Sequence, residues 1–192
     1  VTLHDLPVAE ASNLEGKELR LGAGASPLWA VFTTCTSNGS VNSMHCSLNP
    51  LTGLIPLVGM WFNITFGGIG VGFLGLFTYI IVGVFICGMM VGRTPEYLGK
   101  KVETREMKYA LPALLMHPLC ILGGMAIFCL IPAWGRDTVL NPGFHGFTEM
   151  LYEFTSSSAN NGSGFEGLAD NSYFWNITAG LAMFFGRYLS IV

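Results

Sequence analysis

The fold is decided by the stretch Ser26-Pro27-Leu28-Trp29-Ala30-Val31-Phe32-Thr33-Thr34-Cys35-Thr36-Ser37-Asn38-Gly39-Ser40-Val41-Asn42. Ser26 suits a helix N-cap and Pro27 suits the first helical position, so a helix is predicted from here to about Cys35. Its ten residues would be about 15 Å long, roughly half the hydrocarbon thickness of a bilayer. The polar residues 36–42 that follow have no helix preference. The stretch therefore predicts a half-length helix that ends in a polar loop.

The surroundings of this stretch are apolar. The 192 residues are 51% hydrophobic and 11% charged, whereas a soluble domain carries about 25% charged residues. No Asp, Glu, Lys or Arg occurs between Arg20 and Arg93, and 109–135 and 171–186 are also uncharged. Uncharged apolar runs of about 18 residues or more predict membrane spans, because polar faces would interrupt the core of a soluble protein. The net charge of −3 does not favour nucleic acid as a partner.

The first long apolar segment, residues 54–92, is too long for one straight helix. It would measure about 58 Å, against about 30 Å of hydrocarbon. A break is expected at Phe66-Gly67-Gly68-Ile69-Gly70-Val71-Gly72, where four glycines cluster. Residues 73–92, the second half of this segment, would then form a membrane-spanning helix.

Residues 93–108 are charged and hold five of the nine Lys and Arg residues, so this loop is expected on the cytoplasmic side. Residues 109–132 would span back. A short helix is predicted from Thr148, as N-cap, to about Ser158, and a last span from Tyr173. The chain starts without Met and stops in an apolar run, so it is interpreted as a fragment of a longer polytopic protein.

One pattern therefore occurs twice: a short helix, a polar loop and a span. Asn38-Gly39-Ser40 and Asn161-Gly162-Ser163 lie 123 positions apart. Irregular backbone at membrane depth must be buried in protein or line a wet cavity. A helix C-terminus carries partial negative charge, and loop carbonyls can replace the hydration shell of a cation. Two interpretations stay open here: an ion filter, or re-entrant loops that only pack.

Three longer motifs resemble the KdpA family, the potassium-binding subunits of bacterial Kdp potassium-transporting ATPases. Thr33-Thr34-Cys35-Thr36-Ser37-Asn38-Gly39-Ser40-Val41-Asn42-Ser43-Met44-His45 resembles the third filter loop of that family. Gly92-Arg93-Thr94-Pro95-Glu96-Tyr97-Leu98-Gly99-Lys100-Lys101 resembles the cytoplasmic loop that follows. The stretches 141–147 and 160–163 resemble the fourth repeat.

This resemblance implies an all-α polytopic membrane protein with four helix–pore loop–helix repeats around one pore, two of them present in part. Residues 1–92 would belong to the third repeat, 93–108 to a cytoplasmic loop and 109–192 to the fourth repeat. The implied function is to bind and translocate K⁺, the expected ion, as a subunit of an ATP-driven uptake complex. ATP hydrolysis would lie on the B subunit, with a C subunit and a small F subunit as further partners. The implied location is the bacterial plasma membrane, with several spans in the lipid bilayer.

The resemblance also implies the site residues. The filter carbonyls would be those of Thr36, Ser37, Asn38, Gly39, Asn160, Asn161 and Gly162. The gate and pathway would be formed by Gly67, Gly68, Gly70, Arg187 and Arg93. Arg187 would lie about 21 Å along its helix, where it either repels K⁺ below the filter or snorkels to water. The alternative functions are a Trk- or Ktr-like potassium channel or symporter subunit and, more remotely, a membrane scaffold without transport.

Two positions depart from the family pattern: Cys46 stands where an acidic residue is expected, and Glu153 where a small one is. The five cysteines form no CxxC pair and are interpreted as small buried hydrophobes, not as a disulfide frame or a metal site. They are Cys35, Cys46, Cys87, Cys120 and Cys129. His45, His117 and His145 share no ligand spacing, and His117-Pro118 is interpreted as a kink. No nucleophile–base pair or phosphate-binding loop is recognisable, so the chain itself is not expected to be catalytic.

Overall fold

The computed structural model describes residues 14–22, 24–62, 67–68 and 70–189. In this part of the chain there are six α-helices. They are α1 (Ala25–Cys35), α2 (Pro50–Trp61), α3 (Val71–Val91), α4 (Thr104–Leu130), α5 (Phe144–Ala159) and α6 (Tyr173–Tyr188). Two-residue strands β1 (Glu96–Tyr97) and β2 (Lys100–Lys101) and short 3₁₀ turns at His45–Ser47 and Arg136–Thr138 complete the described elements. The mainly helical prediction is confirmed.

The two half-length helices, α1 and α5, are present, but both predicted N-caps are wrong. α1 begins two residues early, at Ala25 after Gly24, and the Ser26 hydroxyl accepts a hydrogen bond from the Glu18 amide at 2.8 Å. α5 begins at Phe144, because Gly143 takes a left-handed φ of 82° that lets the chain turn directly into the helix. Thr148 therefore lies inside α5, where its hydroxyl donates to the Phe144 carbonyl at 2.9 Å.

The predicted break in the first long apolar segment is confirmed. α2 ends at Trp61 and α3 begins at Val71. Gly67, Gly68 and Gly70 are not helical, and Gly70 has a φ of 83° that favours glycine. The prediction was wrong for Val71 and Gly72, which already belong to α3, and Phe66 and Ile69 lie outside the described residues.

Among the described residues, α3 and α4 are long and apolar enough to cross a membrane. Only 6% of the apolar window of α3 and 17% of that of α4 is buried inside the protein. Apolar surface of this extent needs an apolar environment, which lipid provides. α6, with 16 residues, is shorter than a full span.

The charged segment 93–108 is more ordered than a plain loop. β1 and β2 pair antiparallel, with Glu96 opposite Lys101, and Leu98 and Gly99 form a turn with φ of 50° and 75°. Positive φ at both turn residues is typical of a type I′ hairpin. α4 already begins at Thr104, with a capping box between Glu103 and Glu106.

Two apolar clusters organise the packing. The first joins α4, α5 and α6 and consists of Met125, Phe128, Met150, Phe154 and Trp175. The second joins α2 to α5 through Leu57, Met60, Tyr152 and Phe165. Because α2 follows the first polar loop and α5 precedes the second, this second cluster lies where the two loops meet.

Candidate functional site

The two polar loops have the same backbone geometry. Ser37 and Asn160 have φ of 53° and 52°, and Gly39 and Gly162 have φ of 80° and 93°. Each helix end is closed by the same bond: the Asn38 amide donates to the Thr33 carbonyl at 3.1 Å, and the Asn161 amide to the Ser156 carbonyl at 2.9 Å. A left-handed residue followed by such a bond is the Schellman way to end a helix.

The asparagine side chains also act alike in the two loops. Asn38 Oδ1 accepts from the Ser40 amide at 3.1 Å, and Asn161 Oδ1 accepts from the Ser163 amide at 3.0 Å. Both bonds are Asx turns, which fix the loop locally without a charged group. Every matching pair of residues lies 123 positions apart, the spacing at which the two Asn-Gly-Ser motifs recur.

The structure brings the two loops into direct contact. Asn161 Nδ2 donates to the Thr33 carbonyl at 2.8 Å, and the Ser37 hydroxyl donates to the Ala159 carbonyl at 3.2 Å. A Cβ atom added at Gly39 would lie 2.0 Å from the Asn161 carbonyl oxygen. Glycine is therefore needed at position 39 for close approach as well as for its positive φ.

A buried chain of side chains holds the second loop from behind. His45 Nδ1 and the Tyr152 hydroxyl are 2.9 Å apart, and the same hydroxyl is 2.9 Å from the Ser163 hydroxyl. Ser163 in turn donates to Asn161 Oδ1. His45 and Tyr152 are fully buried, so each hydrogen bond is made away from water. This network runs from the segment after the first loop into the second loop.

Two further contacts fix the carboxyl end of α5. The Ser156 hydroxyl accepts from the Gly162 amide at 3.0 Å, and His117 Nδ1 lies 2.7 Å from the Ser158 hydroxyl. α4 runs unbroken through Pro118, and the His117 side chain connects it to α5; the kink predicted at His117-Pro118 stays a prediction. Sequence reasoning missed His45 and Tyr152 because 107 positions separate the two side chains. It also missed Ser156, whose partner Gly162 is only six positions away; Ser163, inside the repeated motif, carried a signal.

The predicted gate and pathway residues lie in two places, beside the loops and beyond the far end of α3. A Cβ at Gly68 would be 4.0 Å from the Thr36 carbonyl oxygen, so the glycine segment lies beside the first loop. A Cβ at Gly186 would be 2.1 Å from the Ser158 carbonyl oxygen, which places Arg187 next to the end of α5. Arg93 is exposed beyond the far end of α3, about 31 Å of helix away from Gly70. Arg93 is therefore not part of the loop site.

The two loops carry no charged residue, but the helix ends that lead into them give the site a negative electrostatic potential. No Asp, Glu, Lys or Arg occurs in residues 36–42 or 159–165. The carboxyl ends of α1 and α5 both lead into the loops, and each contributes the partial negative charge of its last carbonyls. Such a site can attract a cation and exchange it without the deep well that a carboxylate would create.

The cysteine interpretation needs correction. All five thiols are free, but none is fully buried: Cys87 and Cys129 are exposed, and the other three are half-buried. Cys46 lies with His145 and Glu149 in a group whose ligand atoms are all within 4.8 Å of one another. Sequence reasoning missed this group because about 100 positions separate Cys46 from the other two side chains.

Apolar helices that face outward, together with two uncharged loops presented by half-length helices, are typical of a helical membrane protein with re-entrant loops. The chain belongs to the KdpA family, described as the potassium-transporting ATPase A subunit, which it matches over residues 2–192.

Similar proteins carry the same description. The chain is 58% identical over 186 residues to the potassium-transporting ATPase potassium-binding subunit of Parabacteroides distasonis, covering 93% of this chain and 33% of the relative. It is 55% identical over 180 residues to the subunit of that name from Clostridium acetobutylicum, covering 94% of this chain and 32% of the relative. It is 53% identical over 184 residues to the subunit of that name from Geobacillus kaustophilus, covering 96% of this chain and 33% of the relative. The chain thus spans about a third of the length of these relatives.

Proposed function

We propose that this chain forms part of the potassium-binding and translocating subunit of an ATP-driven potassium uptake complex. The observation that carries the proposal is the pair of glycine-bearing loops with matching backbone geometry, in direct contact at the ends of two half-length helices. The names of the relatives supply the ion and the link to ATP.

In this proposal, K⁺ is selected by backbone carbonyls. The carbonyls of Thr36, Ser37, Asn38, Gly39, Asn160, Asn161 and Gly162 face the ion path and replace its water shell. Positive φ at alternate positions of each loop supports this, because it re-aims successive carbonyls. The buried network around Tyr152 would keep the carbonyls at a fixed spacing.

The way the loops touch supports a ring of more than two. Their contact is head-to-tail: Asn161 reaches back to α1, while Asn38, at the matching position, is exposed. Likewise Gly39 lies against the Asn161 carbonyl, while no described atom is within 4 Å of a Cβ at Gly162. When two loops touch head-to-tail, each loop has one contact surface that is still unoccupied. Both surfaces of every loop are occupied only when the loops form a closed ring. Four repeats, of which 1–92 and 109–192 supply parts of two, would satisfy both edges.

The glycine segment with Gly67, Gly68 and Gly70 is proposed as a movable barrier below the filter. Its position beside the Thr36 carbonyl and its break between two helices support this role. Arg187, next to the end of α5, would repel K⁺ from a direct leak path. Arg93 would mark the cytoplasmic end of α3, consistent with the basic residues that follow it.

The proposed setting is the inner membrane of a bacterium, crossed several times by the full-length subunit. ATP would be hydrolysed on a B subunit, with C and F subunits in the same complex. The hairpin within residues 93–108 is the proposed contact for the B subunit, since it presents Lys100 and Lys101 on an ordered turn.

The test is ion selectivity in the full-length subunit assembled in its complex. Gly39→Ser should weaken apparent K⁺ affinity and reduce discrimination against Rb⁺ and Na⁺ in uptake assays. The control is Gly83→Ser in α3, where an added Cβ meets open space. Uptake selectivity unchanged by Gly39→Ser would overturn the filter assignment. A scaffold would also show no K⁺-dependent protection of the loops from cysteine labelling, whereas a filter would.

A further inference from the structure

A second cluster of chemically active side chains lies apart from the ion path, between the two loop-bearing halves. Cys46, in the 3₁₀ turn after the first loop, has its Sγ 3.1 Å from His145 Nε2 and 3.4 Å from Glu149 Oε1. His145 Nε2 is 3.6 Å from the same carboxylate oxygen. His145 and Glu149 are one turn apart on α5, so both side chains project from one face of the helix.

These three separations fit one metal ion. Zn²⁺ binds sulfur at about 2.3 Å, imidazole nitrogen at about 2.0–2.1 Å and carboxylate oxygen at about 2.0–2.2 Å. Tetrahedral angles at those bond lengths put the ligand atoms about 3.4–3.6 Å apart. The observed distances of 3.1, 3.4 and 3.6 Å are close to that spacing before any side chain moves.

The carboxylate of Glu149 is an independent indication that a cation belongs here. Its side chain is fully buried, and its Oε2 atom has no hydrogen-bond partner among the described residues. Within the described part of the chain, His145 is the one basic side chain within ion-pair distance of it. A buried carboxylate is costly unless it is paired or bound to a metal. Asn141 Nδ2 donates to Glu149 Oε1, and glycine at position 167 permits this close packing, because a Cβ there would lie 2.2 Å from Glu149 Oε1.

The ligand set selects the kind of metal. One thiolate, one imidazole and one carboxylate suit Zn²⁺ and related transition metals, whereas K⁺, Mg²⁺ and Ca²⁺ prefer oxygen ligands alone. Cys46 is the residue that changes this preference, since the family pattern leads us to expect an acidic residue at that position. The His145 side chain is 38% exposed, so an ion can reach the cluster from the protein surface.

We propose that Cys46, His145 and Glu149 form a binding site for Zn²⁺ or a similar transition-metal ion. Binding replaces the thiol proton of Cys46 by the metal and releases that proton to solvent. The ion would link the segment after the first loop directly to α5, and so hold together the two halves that carry the proposed filter. This site is separate from the K⁺ path and does not depend on the assignment of the filter.

The experiment uses the full-length subunit, purified through a tag without histidines, and Co²⁺ as a spectroscopic probe. One Co²⁺ per chain should produce a thiolate-to-cobalt charge-transfer band, which Zn²⁺ should then displace. Cys46→Ser should abolish this band, and His145→Gln should weaken Zn²⁺ binding by at least about 10- to 100-fold, the range seen for loss of outer partners alone. Cys87→Ser, a change at an exposed cysteine of α3, should leave the band intact.

Cys46→Asp guards against loss of folding, because it places the expected acidic residue at this position. It should lose the charge-transfer band, because a carboxylate has no thiolate-to-cobalt transition, and its melting temperature without metal, compared with that of the parent, reports whether the fold is kept. The proposal is overturned if the parent shows no such band, if the band persists in Cys46→Ser, or if His145→Gln binds Zn²⁺ like the parent. Metal content measured after dialysis against Zn²⁺ should agree with these titrations.

Discussion

Deleting one hydroxyl, in Tyr152→Phe, should loosen the second loop without changing any loop residue. The hydroxyl is 2.9 Å from both His45 Nδ1 and Ser163 Oγ, and the side chain is fully buried. The ring itself should stay in place, because it stacks on Phe165 with centroids 4.3 Å apart. The substitution therefore removes two hydrogen bonds and little packing.

Each buried hydrogen bond contributes about 1 kcal/mol net, and a partner left unsatisfied adds a further penalty. The loss should be about 2 kcal/mol of unfolding free energy. Of its two side-chain partners described above, Ser163 then keeps Asn161 alone, so the second loop should be held less firmly. Part of the lost free energy should therefore appear as weaker ion binding. If about 1.4 kcal/mol is expressed there, K⁺ affinity falls about tenfold.

The assay is a double-mutant cycle in the full-length subunit, with Tyr152→Phe, Ser163→Ala and the double variant. Residues in one hydrogen-bond network show interaction energies of about 0.5–3 kcal/mol, so the double variant should be less affected than the sum of the singles. Tyr173→Phe, at a side chain that is 84% exposed, is the matched control and should behave like the parent. Additive effects together with unchanged K⁺ affinity would refute the claim that this network positions the loop.

Three further predictions concern other parts of the chain. Deleting residues 67–70, or making Arg187→Ala, should change ion flux or its coupling to ATP while K⁺ affinity stays close to that of the parent; full coupling in both variants would reduce the glycine segment to a bend. A cysteine placed at Lys101 should react with impermeant reagents only from the cytoplasmic side, and labelling only from outside would reverse the topology. Hydrogen bonds from Arg20 lower the pKa of Glu18 to about 2, so Glu18→Gln should destabilise the subunit near neutral pH. Because the folded pKa lies below the ordinary value, this difference should persist down to about pH 4.5 and vanish by about pH 2 in thermal unfolding scans.

Much of the fold could be predicted because the relevant signals are local. The length of the apolar segment required a break, and the cluster of glycines gave its position between Trp61 and Val71. Both half-length helices and the polar loops after them followed from composition alone. The N-caps were wrong for two reasons: the Ser26 hydroxyl accepts from the Glu18 amide, and the positive φ of Gly143 starts α5 before Thr148.

The contacts behind the loops could not be predicted, for a physical reason. His45 and Tyr152 are 107 positions apart, and Cys46 and His145 are 99 apart. Neither pair lies within one helix or turn, so no periodicity in the sequence links them. Only the packing of α2 against α5 brings them together, and it does so through apolar residues that give no indication of their polar neighbours.

This arrangement separates the groups that would touch the ion from the groups that hold them. The proposed ligands are backbone carbonyls, which every residue has, so a loop side chain matters chiefly through the φ that it permits. If the loop selects K⁺ by the spacing of its carbonyls, the hydrogen bonds of Asn161, Ser163 and Tyr152 are the contacts that would fix that spacing from behind. Substitutions in this buried chain should therefore alter ion discrimination as strongly as substitutions in the loop, although none of the three side chains needs to meet the ion.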